Sequence, residues 1–197
     1  VGVQVILLPF FGPGALKTTA EMDVVGDALK ELGPEDQKQG IILGLEDTIS
    51  AKDNVRIMER SQSPAVLTYY DVGNSTQNGF NVVEEIRWLG KDRISEMHLK
   101  DNPHYLGEGT INFPAVIEAM IAIGFDKHDN PGEAIAWWFG KAQQVLERSG
   151  FKQGCPIAML AVHPGDPVVA TASREALLRW RSALATRLAD AGYDDAD

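Results

Sequence analysis

A chain of 197 residues in which 44% are hydrophobic can bury a core as one domain or two small ones. Its 28 acidic and 18 basic residues leave a formal net charge of −10, which argues against a nucleic-acid surface, since phosphate binding needs a basic stripe. The single cysteine, Cys155, excludes an intrachain disulfide and a cysteine zinc knuckle, and no apolar stretch approaches the ~20 residues of a membrane span. These properties fit a cytoplasmic protein that handles small molecules.

The opening VGVQVILLPFFG has no basic region before it and no small-residue cleavage site after it, so it reads as a strand and not as a signal peptide. A first residue of valine reads as a fragment or a processed chain. Residues 3–11 are rich in Val, Ile and Phe, as expected for a parallel strand covered on both faces. Gly12-Pro13-Gly14 ends it. Thr18 with Glu21 makes a capping-box pattern. Met22, Val25, Leu29 and Leu32 follow at helical spacing, and Gly33-Pro34 is the stop signal. A second strand runs from Ile41 to Leu45 and ends in Glu46. Ser50 with Asp53 opens a helix through Val55 and Met58. Ala65 to Tyr70 is a third strand, leading into Asp71-Val72-Gly73-Asn74.

Asn81 with Glu84 opens the next helix, through Ile86 and Leu89, and Gly90 closes it. Ile94 to Leu99 is a fourth strand carrying His98. After Gly107-Glu108-Gly109, Pro114 sits near the start of a helix with Val116, Met120 and Ile123 on one face, closed by Gly124. Four βα units in strict alternation predict a parallel α/β sheet. The apolar run needed for a further strand is then absent, which puts a boundary near residues 126–131. A long helix is predicted from Ala170 to Ala191. Leu177, Trp180, Leu184, Leu188 and Ala191 share one face, with Arg174, Arg179, Arg181 and Arg187 mostly off it.

Glu46, Asp71 and His98 each close a short apolar run, 25 and 27 residues apart. That is near the ~30 residues per unit of a (β/α)₈ barrel of ~250 residues. Side chains at the carboxyl ends of successive barrel strands converge on one mouth. Two carboxylates and an imidazole there suit a divalent metal. Taken singly, each residue is more often a helix cap, an ion-pair partner or a satisfied polar group. Asn74 lies three residues beyond Asp71, where it shares the mouth or serves as a turn residue. Gly107 and Gly109 offer backbone amides to an anion, a weak signal by itself. His104 reads as a surface residue.

With LGLED, YYDVGN, HLKD and LGEGTINFPAV in this order, residues 1–126 resemble the xylose-isomerase-like TIM-barrel family of sugar (phosphate) isomerases and epimerases. The resemblance implies a partial (β/α)₈ barrel of about four βα units, strands four to seven. In the family a Glu after strand five, an Asp after strand six, a His after strand seven and a Glu after strand eight hold the metal. The first three map onto Glu46, Asp71 and His98; strands one to three and the eighth-strand Glu have no counterpart, and Asn112 stands where the family commonly has Asp. The implied cofactor is Mn²⁺ or Mg²⁺, with Co²⁺ or Zn²⁺ as alternatives. The implied ligand is a sugar or sugar phosphate. Asn74, Lys100 and Asp101 are the candidate substrate-binding residues: Lys100 and Asp101 sit just beyond His98, where Lys100 either reaches a sugar oxygen or phosphate or belongs to a solvated loop. The implied activity is isomerisation or epimerisation through an ene-diolate, with Glu46 as one member of an acid–base pair. Glu133 is the nearest acid in sequence for the missing member. A chain lacking that group is expected to be weakly active or inactive.

Residues ~137–193, with LERSGFKQGCPIAMLAV and LLRWRSALATRLADAG, resemble the C-terminal ligand-sensing helices of TetR-like regulators. This resemblance implies a helical effector and dimerisation region, with the C-terminal helices as a candidate homodimer interface and no basic recognition helix. Trp137, Trp138, Phe139 and Trp180 read as core or interface packing, and Cys155 as a small buried apolar residue. The expected organisation is a partial barrel over residues 1–126 followed by an α-helical segment over 127–197. The alternative function is a small-molecule-sensing or dimerisation module without its DNA-binding domain.

Overall fold

Helix starts in this chain are set by short polar side chains that satisfy orphan amides of the first turn. In the computed structural model, which describes residues 3–125, 131–148, 150, 167–190, 192 and 193, these caps punctuate a βα alternation. Thr18 makes a full capping box with Glu21 at the start of α1 (Thr19–Gln39). Ser50 accepts from the Asp53 amide to open α2 (Ala51–Ser61). Asp71 caps a short helix α3 (Val72–Gln77), and Asn81 caps α4 (Val82–Leu89). The Asn112 side chain accepts from the Ala115 amide in the first turn of α5 (Phe113–Phe125).

Between these helices lie β1 (Val5–Pro9), β2 (Ile42–Glu46), β3 (Val66–Asp71) and β4 (Ile94–His98). They form one parallel sheet in the order β1-β2-β3-β4, with a register shift between Thr68 and Tyr69 where β3 meets β4. Sequential parallel order with a helix after every strand is the geometry of adjacent units in a (β/α)₈ barrel. It also brings all four carboxyl ends to the same edge.

The strand period of two decides which side chains are covered. Leu43, Leu45 and Val66 point to the helix side and pack with Leu16, Met22, Leu29, Ile49 and Ile57. Tyr70 joins a second cluster with Val55, Val72, Val82, Ile86, Leu89 and the α5 residues Phe113, Val116, Ala119 and Ile123. Leu45, Ile57 and Ile86 are fully buried, and each such side chain contributes about 1.5–3 kcal/mol.

Two expectations are corrected here. The first strand is not covered on both faces: Ile6 is 39% and Leu7 38% exposed. β1 pairs with β2 on one side, and among the described residues no strand lies on the other. Nor does Gly33-Pro34 end the first helix. α1 runs through Pro34 to Gln39 and stops at Gly40, whose φ of 68° lets its N–H return to the carbonyls of Asp36 and Gln37. The buried row of α1 is Met22, Gly26, Leu29 and Gly33, while Leu32 is exposed.

The chain divides into two compact units, Val1–Gly124 and Phe125–Asp197. In the second, α6 (Pro131–Arg148) and α7 (Pro167–Asp190) are helical and meet each other. Glu133 lies in the first turn of α6, not at a strand end. Leu177, Trp180, Leu184 and Leu188 are half-buried, whereas Arg174, Arg179 and Arg181 are exposed. The expectations for Cys155 and Ala191, and for the side chains of Trp137, Trp138 and Arg187, lie outside the described residues. Among the described residues no helix is long and apolar enough to cross a membrane.

Candidate metal centre

Glu46 is the last residue of β2, and alternation from buried Leu43 and Leu45 turns it to the sheet face away from the helices. Asp71 ends β3 and His98 ends β4; the two are register partners, so their side chains share a face. The structure therefore brings the three together at the carboxyl edge. His98 Nδ1 lies 2.9 Å from Glu46 Oε1 and 3.1 Å from Asp71 Oδ2. One ligand atom from each of the three falls within 4.8 Å of the others. The His98 side chain is 47% exposed and the Asp71 side chain 1%, so the cluster has a buried floor and an open front.

Several groups hold this arrangement. Tyr69 meets the His98 ring edge-on, with centroids 6.4 Å apart and planes at 89°. A Cβ on Gly44 would stand 3.2 Å from Tyr69, so glycine lets that side chain lie close across β2. Asp71 Oδ1 accepts from the Asn74 amide at 2.8 Å, which fixes the carboxylate. The Asn74 side chain is buried and donates from Nδ2 to the Asp47 carbonyl at 3.2 Å, tying the Asp71 end of β3 to the Glu46 end of β2. Lys100 Nζ lies 2.6 Å from Asp71 Oδ2. Asp101 is buried, and its Oδ2 accepts from the Gly107 and Gly109 amides at 3.0 and 2.8 Å. The GEG amides are thus turned onto a carboxylate of this chain. His104 is exposed.

The chemistry of the donor set fits a divalent ion. Asp71 Oδ2 is buried and receives no well-directed hydrogen bond, despite the nearby His98 and Lys100 nitrogens. An ion about 2.1 Å from each donor needs donor–donor separations of about 3.0 Å for neighbours and about 4.2 Å across the ion. The two distances to His98 Nδ1 meet the first figure, and no two of the three donors lie more than 4.8 Å apart. Two carboxylates with one imidazole suit Mn²⁺, Mg²⁺, Co²⁺ or Zn²⁺, and three protein donors leave positions for substrate.

Sequence reasoning missed Asp47, which follows Glu46 and points elsewhere. Its Oδ1 accepts from the Ile49 amide and from Asn54 Nδ2, both at 3.1 Å, while Asp47 Oδ2 and Asn54 Oδ1 are buried without partners. Burial pushes the Asp47 carboxyl up to about 6, against the pull of those two hydrogen bonds. Burial also raises the Tyr70 phenol, whose O–H donates to Glu85 Oε2 at 2.7 Å. A surface cavity of about 250 Å³ between the start of α2 and α4, lined by Ser50, Ala51, Lys52, Glu84, Glu85 and Trp88, contains none of the triad.

Parallel strands in sequential order, with a Glu-Asp-His cluster at their carboxyl ends that could hold a metal ion, are the arrangement of a barrel-type α/β fold. Residues 1–129 match the model of the xylose isomerase-like TIM barrel, and the chain belongs to that family. Residues 131–197 match the C-terminal domain of LmrA/YxaF-like transcriptional regulators. No curated protein matches the chain. Among solved structures, the IolI protein with a bound zinc atom is similar at a TM-score of 0.54 and 19% identity, over 63% of this chain and 51% of that one. An L-ribulose 3-epimerase is similar at 0.54 and 15% identity, over 92% and 60%. The 3-keto-D-glucoside 4-epimerase YcjR from E. coli is similar at 0.50 and 18% identity, over 66% and 62%. These likenesses show the fold. The chain spans about half the length of the IolI structure it matches.

Proposed function

We propose that residues 1–126 carry the metal-binding half of a sugar or sugar-phosphate isomerase or epimerase site. The observation that supports this most is the convergence of Glu46, Asp71 and His98 at one strand edge, within 4.8 Å, in a chain of this family. In this reading the three side chains hold one divalent ion, Mn²⁺ or Mg²⁺ foremost. The zinc of the IolI structure makes Zn²⁺ a reasonable alternative. When bound, the ion supplies Lewis acidity toward a carbonyl and its neighbouring hydroxyl.

The residues divide the remaining work. Glu46 turns Oε1 toward His98, leaving its second oxygen as the base that removes a carbon-bound proton on the way to an ene-diolate. Lys100 carries the ammonium nearest the cluster and is suited to a sugar or phosphate oxygen. Asn74 and Asp101 act behind the front, bracing the two strand ends and the 101–109 loop. A proton moved between two faces of a substrate needs a second acid–base group, and among the described residues no further acid joins the cluster. Losing such a group costs on the order of 10²–10⁴ in rate.

The test is a panel of ketoses and ketose phosphates assayed with Mn²⁺, Mg²⁺, Co²⁺ and Zn²⁺. The expected outcome is metal-dependent turnover well below about 1 s⁻¹ that disappears in Glu46→Gln. Turnover that needs no metal, or that survives Glu46→Gln, contradicts the assignment.

A second reading rests on the match of residues 131–197 to a regulator's C-terminal domain and on the two helices α6 and α7. It assigns that unit to small-molecule sensing or dimerisation. Saturable binding of a hydrophobic effector by a variant in which the triad is disabled would favour it.

A further inference from the structure

Lys100 stands two residues beyond His98, and its ammonium lies 2.6 Å from the same Asp71 oxygen that faces His98 Nδ1. Three features make this pairing a built one. The Lys100 side chain is only 24% exposed, and its partner carboxylate is buried. Its stem lies over the first turn of α3 so closely that a Cβ on Gly73 would fall 2.6 Å from Lys100 Cγ and 3.0 Å from its Cε. Asp71 Oδ1 is already engaged by the Asn74 amide, so Oδ2 is the oxygen left for a cation.

We propose that Lys100 is a tethered counter-ion for the metal centre. Its ammonium holds Asp71 Oδ2 when no ion is bound and is exchanged for a divalent ion when one enters. This rests on the metal-site reading above and adds a competitor to it. A buried carboxylate left without a positive partner is costly, so the metal-free site needs a cation. Lysine is suited to this, being a compact point charge on a flexible stem that can withdraw; an arginine fork would hold the carboxylate through two bonds. Two cations cannot share Oδ2 at close range without strong repulsion. Once displaced, the ammonium stays near the mouth on its short tether, where an anionic or hydroxyl group of a substrate can accept from it.

The experiment uses the full chain and titrates Mn²⁺ by calorimetry into the wild type, Lys100→Met, Lys100→Gln and His98→Ala. Thermal unfolding is followed in parallel, in EDTA and in excess Mn²⁺. Neutralising Lys100 is expected to tighten Mn²⁺ binding by at least about tenfold, since removal of one unit charge in contact with the site relieves both competition and repulsion. The same variants should melt below the wild type in EDTA, because Asp71 is then unpaired, and should recover more than the wild type on adding Mn²⁺. A merely structural lysine would lower the EDTA melt without tightening binding. Equal or weaker Mn²⁺ binding in both variants, with wild-type binding still lost in His98→Ala, overturns the counter-ion role and leaves the metal site standing. Absence of Mn²⁺ binding in the wild type and in both Lys100 variants overturns the metal site, and the counter-ion role with it.

Discussion

Asp71 shows how one side chain serves two structural demands. Its Oδ1 caps α3 through the Asn74 amide, and its Oδ2 faces His98 and Lys100. Reading it as a helix cap and reading it as a metal ligand are therefore compatible. Asp47, its neighbour across the Asn74 bridge, is a cost to the fold. An unfolded aspartate titrates near ~3.9, whereas burial raises this one to about 6. Between those values the folded chain binds more protons than the unfolded one. Stability from this group therefore falls as pH rises from about 4 to 6, and the penalty is complete above that window. A shift of this size corresponds to about 3 kcal/mol. Asp47→Asn removes the charge and places an amide where Oδ2 has no partner. Urea unfolding should find Asp47→Asn more stable than the wild type by about 1–3 kcal/mol at pH 7.5, with the gain gone by pH 4. A variant less stable at both pH values would show that the ionised carboxylate is supported in the fold.

At the scale of elements, α1 carries a lesson in what glycine hides. Its packed row includes Gly26 and Gly33, and a Cβ on Gly33 would stand 2.4 Å from Ser63 Oγ and 2.5 Å from Ser63 Cβ. A Gly→Ala change inside an exposed helix gains up to about 1 kcal/mol. Here overpacking should dominate, and Gly33→Ala is expected to destabilise by about 1–3 kcal/mol in chemical denaturation. A net gain in stability would mean that α1 can move off Ser63 at little cost. The same residues explain what the sequence made legible. Caps and apolar runs are local signals, so the starts of α1, α2 and α4 and all four strands could be read directly. Periodicity points to Leu32 where the fold buries Gly33, because glycine adds nothing to a hydrophobic pattern. The exposure of β1 depends on what pairs with its outer edge, which its own residues do not state. Among site groups, Glu46, Asp71 and His98 were legible from strand ends and spacing. The Lys100–Asp71 contact was not, because it depends on α3, a six-residue helix too short to show a period.

The whole molecule joins a four-stranded parallel unit of the xylose isomerase-like family to a helical unit that matches a regulator's C-terminal domain. A complete barrel of this type has eight strands, and among the described residues no further strand pairs with β1 or β4. Orientation of the substrate carries much of the rate of such reactions, and it draws on more of a barrel than these four strands supply. The proposed metal triad needs less, since all three side chains come from adjacent strands within one unit. Ion binding is therefore expected to survive where efficient turnover does not. The most direct measurement is Mn²⁺ titration of the full chain, by calorimetry, against Asp71→Asn and His98→Ala, with folding of each checked by circular dichroism. One weak site per chain, lost in both folded variants, is the result expected. Equal binding by the wild type and both variants would place the ion elsewhere and remove the chemical basis for assigning this edge of the sheet a role in sugar isomerisation.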